Sequence, residues 1–328
     1  MRLKDSDRSD RRPGRTIKLG WPRFSFRVPD VSLRYLLINL FLGFGWASIV
    51  TGDPPEQVSL WADGAPGSER RRDEPEVAQD WWVANIHDPS LTIYRPEEPN
   101  GTGVVIVPGG GHRKLVFDAE GTMLAERLRD QGVTAFVLKH RLGREPGSPY
   151  EIDVHGRADG VRAMRWVRHH ADEYGLERDR IGMMGFSAGG EIVSMVLFGP
   201  RETPIDIGDA IDDEPAGPNF QVQIYPGPLG IPDAHDGDLP SAFFVVAADD
   251  GAVKNILKLN SLYEGQRKTA EVHIYARGGH GFNLGQRSDR VGLRGWPDRL
   301  LEWMGDEGWL KNEQPANSTM SSDRGGDG

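Results

Sequence analysis

The chain has 328 residues, no cysteine and a net charge of −10. Its length suits one large α/β domain or two small ones, and the lack of cysteine removes disulfides, a thiolate nucleophile and any Cys-ligated metal site. Residues 1–34 hold ten Lys/Arg against four Asp/Glu, a balance of +6, so the remainder carries −16; a body that acidic argues against nucleic acid as a partner.

From Tyr35 to Gly52 there is no charge, and Leu, Ile and Phe dominate. A basic stretch, an apolar stretch and small residues before Asp53-Pro54-Pro55 have the layout of an export signal. At about 16 apolar-type residues the segment is short of the roughly 20 that a spanning helix needs. Residues 1–52 are therefore expected to direct the protein to the periplasm or the exterior. They act either as a cleaved signal or as an anchor at 35–52, the one expected contact with a membrane. The alternative is a buried amphipathic helix of the fold.

Residues 53–90 are polar, with Pro, Gly and Trp, and are expected to wrap the domain rather than join its sheet. Leu91–Tyr94 reads as a short strand. Gly103–Val107 is an apolar strand that runs into Pro108-Gly109-Gly110-Gly111-His112. Glu120–Gln131 has helical spacing through Met123, Leu124 and Leu128, with Gly132 as its stop. Val133–Leu138 is a buried strand, and Asp153–Tyr174 a long amphipathic helix with Val154, Ala158, Val161, Met164 (or Arg165) and Val167 on one face. Ile181–Met184 is a strand entering Gly185-Phe186-Ser187-Ala188-Gly189, after which Ile192, Val193, Val196 and Leu197 repeat as a helix.

Further on, residues 199–219 and 226–240 read as loops, the first of them exposed. Gln221–Tyr225 is a strand between them, and Ala242–Ala248 is a strand ending at Asp249-Asp250. Helix Val253–Gln266, strand Glu271–Tyr275 and closing helix Trp296–Met304 follow, and the polar composition of residues 311–328 predicts disorder. Strands alternating with helices over 53–310 predict one α/β domain, with a mostly parallel central sheet and helices on both faces.

In such sheets, sites form at the carboxyl ends of strands. The glycine loop 109–111, Ser187, Asp249/Asp250 and His280 all fall at such ends, in the chain order of an α/β-hydrolase. Gly-x-Ser-x-Gly between strand and helix is a nucleophile elbow; alone, the same stretch also fits a glycine-rich turn with a capping serine. Ser187 needs a base to remove its proton, and an imidazole does so near neutral pH. Of nine histidines, His280 is the one after the last strand, between glycines. A carboxylate must hold the imidazole's tautomer. Asp250, in Asp250-Gly251-Ala252-Val253, fits the turn into the following helix, which leaves Asp249 to brace the strand end. Ala188 and Gly110 or Gly111 are the expected N–H donors to an oxyanion.

Read as a phosphate cradle, the glycine loop lacks both the Gly-x-Gly-x-x-Gly and the Walker pattern. His112 and Glu191 are candidates for substrate contact, with packing equally open for His112. Glu120 is a candidate brace for the glycine loop, and also a candidate for a sugar hydroxyl. Asp159, Arg162 and Arg165 share helical spacing and predict a structural ion-pair network. Trp81, Trp82, Trp296, Trp303 and Trp309 suggest sugar stacking, with core or lid packing expected for most. No histidine pair at metal-ligand spacing stands near a matching carboxylate, so no metal or other cofactor is expected.

These motifs resemble the acetylxylan-esterase-like serine hydrolases of the α/β-hydrolase superfamily, some of which bear the label endo-1,4-beta-xylanase. The likeness runs from Leu60-Trp61-Ala62-Asp63-Gly64-Ala65-Pro66-Gly67 to Gly308-Trp309-Leu310. It takes in Pro108–His112, Glu120-Gly121, Leu138–Leu142, Asp159 with Arg162-Ala163, the elbow with Gly190, Ile224–Gly227, Ala248–Asp250 and Gly278–Phe282. The resemblance implies a metal-free carboxylesterase that removes short acyl groups, typically acetyl, from carbohydrates. By position, it implies a triad of Ser187, Asp250 and His280, with Gly110 or Gly111 and Ala188 as oxyanion donors. His112 stands where many relatives have an aromatic residue, and Lys254 where many have Pro. A glycosidase would need a pair of carboxylates in place of this triad. A serine peptidase of the same fold, and a catalytically silent carbohydrate-binding homologue, are the alternatives.

Overall fold

The computed structural model describes residues 55–200, 202–203 and 205–310. The expectations for residues 1–52 and 311–328 lie outside these. In chain order the strands are β1 (Glu56–Ser59), β2 (Val77–Gln79), β3 (Trp82–Ala84), β4 (Ser90–Tyr94), β5 (Gly103–Val107), β6 (Thr134–Lys139), β7 (Ile181–Phe186), β8 (Phe220–Ile224), β9 (Ser241–Ala247) and β10 (Glu271–Tyr275). The helices are α1 (Met123–Arg129), α2 (Arg157–His169), α3 (Ala188–Phe198), α4 (Val253–Gly265), α5 (Val291–Arg294) and α6 (Trp296–Asp306). Two π-helical turns, Asp118–Thr122 and Ile152–Gly156, lead into α1 and α2.

Eight strands form one sheet in the order β1-β4-β6-β5-β7-β8-β9-β10. From β6 to β10 every neighbouring pair is parallel; β4 is antiparallel to both β6 and β1. The central strands β5, β6, β7 and β8 are buried at every position, as expected of parallel strands covered on both faces. One face packs on α1, α4 and α6 through Leu124, Leu128, Ile256, Leu259, Leu300 and Met304. The other packs on α2 and α3 through Val161, Met164, Val167, Ile192 and Val196. No helix among the described residues is long and apolar enough to cross a membrane.

The structure corrects three expectations. Residues 53–90 do not only wrap the domain: β1 joins the sheet edge with Glu56 opposite Ile93, and β2 and β3 make a separate hairpin. The β1 sequence Glu-Gln-Val-Ser is mostly exposed, so an edge strand held by its backbone left no apolar alternation to read. Helix α2 stops at His169; the stretch expected to continue it to Tyr174 is a run of turns that ends at Gly175, whose φ of 66° favours glycine.

The third concerns the ion pairs. Asp159 does not pair along its own helix; it accepts from Arg141 on the segment after β6 (Nη2–Oδ1 2.7 Å, Nε–Oδ2 3.0 Å). Arg162 binds Asp209 and Asp212, and Arg165 binds Asp206. The loop read as wholly exposed thus lays its acids on α2, and the Asp212 side chain is 8% exposed.

Candidate active site

The tight turn after β7 sets Ser187 at φ 50° and ψ −115°, a strained backbone for a residue with a Cβ. The flanking glycines make the turn possible by close approach. A Cβ on Gly185 would lie 2.5 Å from the Gly189 carbonyl oxygen, and one on Gly189 2.0 Å from that of Val107. The turn lifts the Ser187 hydroxyl out of the sheet at the N-terminus of α3.

His280 comes from the loop after β10, and its Nε2 is 2.7 Å from Ser187 Oγ. Asp250, past the end of β9, places Oδ2 2.8 Å from His280 Nδ1. With a proton on Nδ1, held by the carboxylate, Nε2 is left as the acceptor for the serine hydroxyl. Asp250 is held in turn by the Ala252 N–H on its Oδ1, at 2.9 Å. Asp249 has a different task. Its Oδ1 accepts from the N–H groups of Gly278 (2.9 Å) and Gly279 (2.8 Å), which fastens the histidine loop to the strand end. Those bonds hold its carboxyl below the ordinary carboxylate range.

The glycine loop after β5 faces this triad. Gly110, Gly111, Ser187 and His280 line one cavity of about 660 Å³. Among the described residues, the N–H groups of Gly110, Gly111 and Ala188 donate to no protein acceptor. They are available to a developing oxyanion beside Ser187. Gly110 has a φ of 135°, and a Cβ there would sit 2.0 Å from the Lys114 carbonyl oxygen.

Beneath the loop lies Glu120, 3% exposed. Its Oε2 accepts the Gly109 N–H at 2.7 Å and its Oε1 the Tyr225 hydroxyl at 2.9 Å. With the Asn283 amide oriented so that its nitrogen faces acceptors, Nδ2 also donates to Glu120 Oε1 at 2.9 Å. The Asn283 N–H donates to the Tyr225 hydroxyl at 3.1 Å, and the Tyr225 ring stacks edge-on against His280 with centroids 4.9 Å apart. Burial raises Glu120 from 4.5 to about 7, against the pull of its hydrogen bonds from Tyr225 and Gly109. Burial also pushes the Tyr225 phenol well above its ordinary value.

The structure contradicts substrate contact by His112 and Glu191. His112, at φ 57°, turns its ring under the glycine loop, where Nε2 meets Glu191 Oε2 at 2.7 Å. The two are 1% and 3% exposed and do not line the cavity. They cross-link the loop to α3 instead. Glu120 likewise has both oxygens occupied by protein donors and serves as a brace. Trp296 and Trp303 are core residues. Trp81, 47% exposed, lines the cavity. Sequence reasoning missed Tyr225, Asn283 and Arg287 in this region. Tyr225 follows the end of the strand beside the elbow strand, a position that signals a site residue; nothing local in the sequence marks Arg287.

The sheet order and the converged serine, histidine and aspartate define the chain as an α/β-hydrolase-fold protein with a complete Ser–His–Asp arrangement. It is similar to the acetylxylan-esterase-like serine hydrolases of that superfamily, and residues 91–226 match the BD-FAE family model. An acetylxylan esterase from Xylanibacter ruminicola is 27% identical over 68% of this chain and 48% of its own length. The chain spans about half the length of the curated relatives it matches. An acetyl ester-xyloside bifunctional hydrolase from Caldicellulosiruptor lactoaceticus superposes with a TM-score of 0.61 at 23% identity, covering 78% of this chain and 98% of that one. A thermophilic esterase from Thermogutta terrifontis gives 0.62 at 18% identity, covering 80% and 95%. At these identities the two structures speak for the fold.

Proposed function

We propose that the protein is a serine carboxylesterase that removes short acyl groups, above all acetyl, from carbohydrate esters through an acyl-enzyme. The observation that carries this reading is the unbroken chain Ser187 Oγ–His280 Nε2 (2.7 Å) and His280 Nδ1–Asp250 Oδ2 (2.8 Å), beside unpaired N–H groups. Ser187 Oγ attacks the ester carbonyl as its proton passes to His280 Nε2. The carbonyl oxygen becomes an oxyanion held by the N–H groups of Gly110 or Gly111 and of Ala188. On collapse the proton moves from Nε2 to the departing alcohol, and the acyl group stays on Ser187. Water then repeats the steps in reverse, with His280 again as base, and releases the acid. The names of the acetylxylan esterase from Xylanibacter ruminicola and the ethyl acetate hydrolase from Pseudomonas putida favour short acyl groups. The basic leader and uncharged segment favour an enzyme that meets its substrate outside the cytoplasm.

The test is hydrolysis of p-nitrophenyl acetate, compared with longer acyl chains and an aminoacyl anilide, followed by acetate release from acetylated xylan and from simple acetylated sugars. A burst of p-nitrophenol in the first turnover, absent from Ser187→Ala, is the expected mark of the acyl-enzyme. Full activity in Ser187→Ala, or preference for the anilide, refutes the reading.

A further inference from the structure

The cavity that holds Ser187 is also lined by Trp81 and Arg287. Trp81 is the exposed tryptophan of the described chain; Trp61, Trp166, Trp296 and Trp303 are buried. Its ring is held in place by Lys114, whose Nζ lies 4.1 Å from the ring centroid, and by Trp82 at 6.3 Å edge-on. An indole face kept open to a cleft in this way is a platform for the C–H face of a sugar ring.

Arg287 is exposed. Among the described residues it forms no salt bridge, and its guanidinium donates to no protein acceptor. No carboxylate of the site bonds to it, although Glu120, which lines the same cavity, feels its charge. Glu120 is buried with both oxygens bonded to Gly109 and Tyr225, and Asp250 is bonded to His280 and Ala252. Asp80, Asp118 and Asp289, the other acids within two residues of a lining residue, do not line the cavity. Two more cations flank the glycine loop: Arg113, with Nη1 3.7 Å from where a Gly111 Cβ would stand, and Lys114. Outside residues 1–34 the chain carries −16, so a cationic mouth on the cleft runs against the charge of the whole. A free guanidinium fork in a cleft matches a carboxylate in both charge and shape.

We infer that the ester cleaved at Ser187 belongs to an acidic sugar: Trp81 stacks the pyranose and Arg287 binds its carboxylate, so that acylated uronic acids are preferred over neutral sugars. This rests on the esterase reading above and narrows its substrate. The test pairs an O-acetylated methyl glucuronoside with its carboxamide, which keeps the shape and loses the charge. The wild-type enzyme is expected to favour the carboxylate by about 10-fold or more in kcat/KM, the scale of a charge-assisted hydrogen bond, and less so as salt rises. Arg287→Ala brings the ratio to about 1, and Arg287→Glu inverts it. Trp81→Ala raises KM for both sugars together.

Binding provides a readout independent of turnover. Quenching of tryptophan fluorescence in Ser187→Ala by the deacetylated methyl glucuronoside is expected to be stronger than by its amide, and to lose that difference when Arg287→Ala is added. If p-nitrophenyl acetate is not hydrolysed but this binding difference is present, the esterase reading fails and the acidic-sugar site stands. Equal handling of carboxylate and amide by the wild-type protein, or a preference that survives Arg287→Ala, overturns the inference.

Discussion

At the scale of single residues, the two adjacent aspartates show how one side chain's partner fixes its role. Asp250 holds the histidine ring, whereas Asp249 holds the backbone of the loop that carries it. Asp250→Asn presents the wrong tautomer to Ser187, and kcat on p-nitrophenyl acetate is expected to fall by about 10⁴. Asp249→Asn leaves the triad's chemistry intact and is expected to cost far less; a larger loss at Asp249 would reverse the two roles. The turn spacing after β9 already favoured Asp250 in the sequence, because the roles depend on a local backbone turn.

Glu120 was only half legible: its place at a helix start suggested a brace, but its bond to Tyr225 spans 105 positions and no local pattern reports it. Its pKa makes that burial measurable. The native protein keeps a proton on Glu120 up to about 7, whereas the ordinary value is 4.5. The associated stability is therefore fully present below about 4.5 and is lost as pH rises through about 7. Unfolding free energies from urea titrations between pH 4.5 and 8 should fall more steeply for the wild type than for Glu120→Gln, by an amount of order a few kcal/mol. Parallel curves would show that Glu120 titrates as an ordinary carboxyl.

At the scale of elements, the parts of the site that were legible are those set by short-range backbone demands. The elbow declares itself because glycines must flank Ser187, and the glycine loop because β5 runs directly into it. The loop's conformation is the more fragile of the two. Gly110 combines a φ of 135° with a Lys114 carbonyl 2.0 Å from any added Cβ, so Gly110→Ala must displace the loop that offers the N–H groups. The expected result is a kcat lower by about 10²–10³, with KM for a short acetyl ester little changed and the melting temperature lowered only modestly. A variant with wild-type kcat would remove this loop from the oxyanion site. The same local logic explains what was misread. β1 has a polar sequence and earns its place through edge pairing alone, and the fork of Arg141, not the nearer Arg162 on the helical repeat, reaches Asp159. His112 and Glu191 stood in sequence beside the site, but the left-handed backbone at His112 sends its ring inward.

At the scale of the whole molecule, the parallel sheet gathers the ends of β5, β7, β9 and β10 along one edge, and residues 93 positions apart come within a hydrogen bond of each other. That edge stays in register only if the outer turns of the chain are tied to the layers behind it. Asp159 and Arg141 make such a tie, with both side chains fully buried. The Asp159 carboxylate also accepts from the Arg141 backbone N–H at 2.9 Å and from Trp61 Nε1 at 3.2 Å, while Arg141 Nη1 donates to the Pro66 carbonyl at 2.6 Å. One ion pair thus joins α2, the segment after β6 and the chain that precedes the β2–β3 hairpin. Removing one member leaves a buried charge with no counterpart, which is far costlier than removing both. Asp159→Ala is therefore expected to lower unfolding free energy in urea by about 3–5 kcal/mol, whereas Asp159→Leu combined with Arg141→Met should recover most of the loss. If the single variant unfolds within about 1 kcal/mol of wild type, the pair is no more than a surface-like contact, and the tie between these layers lies elsewhere.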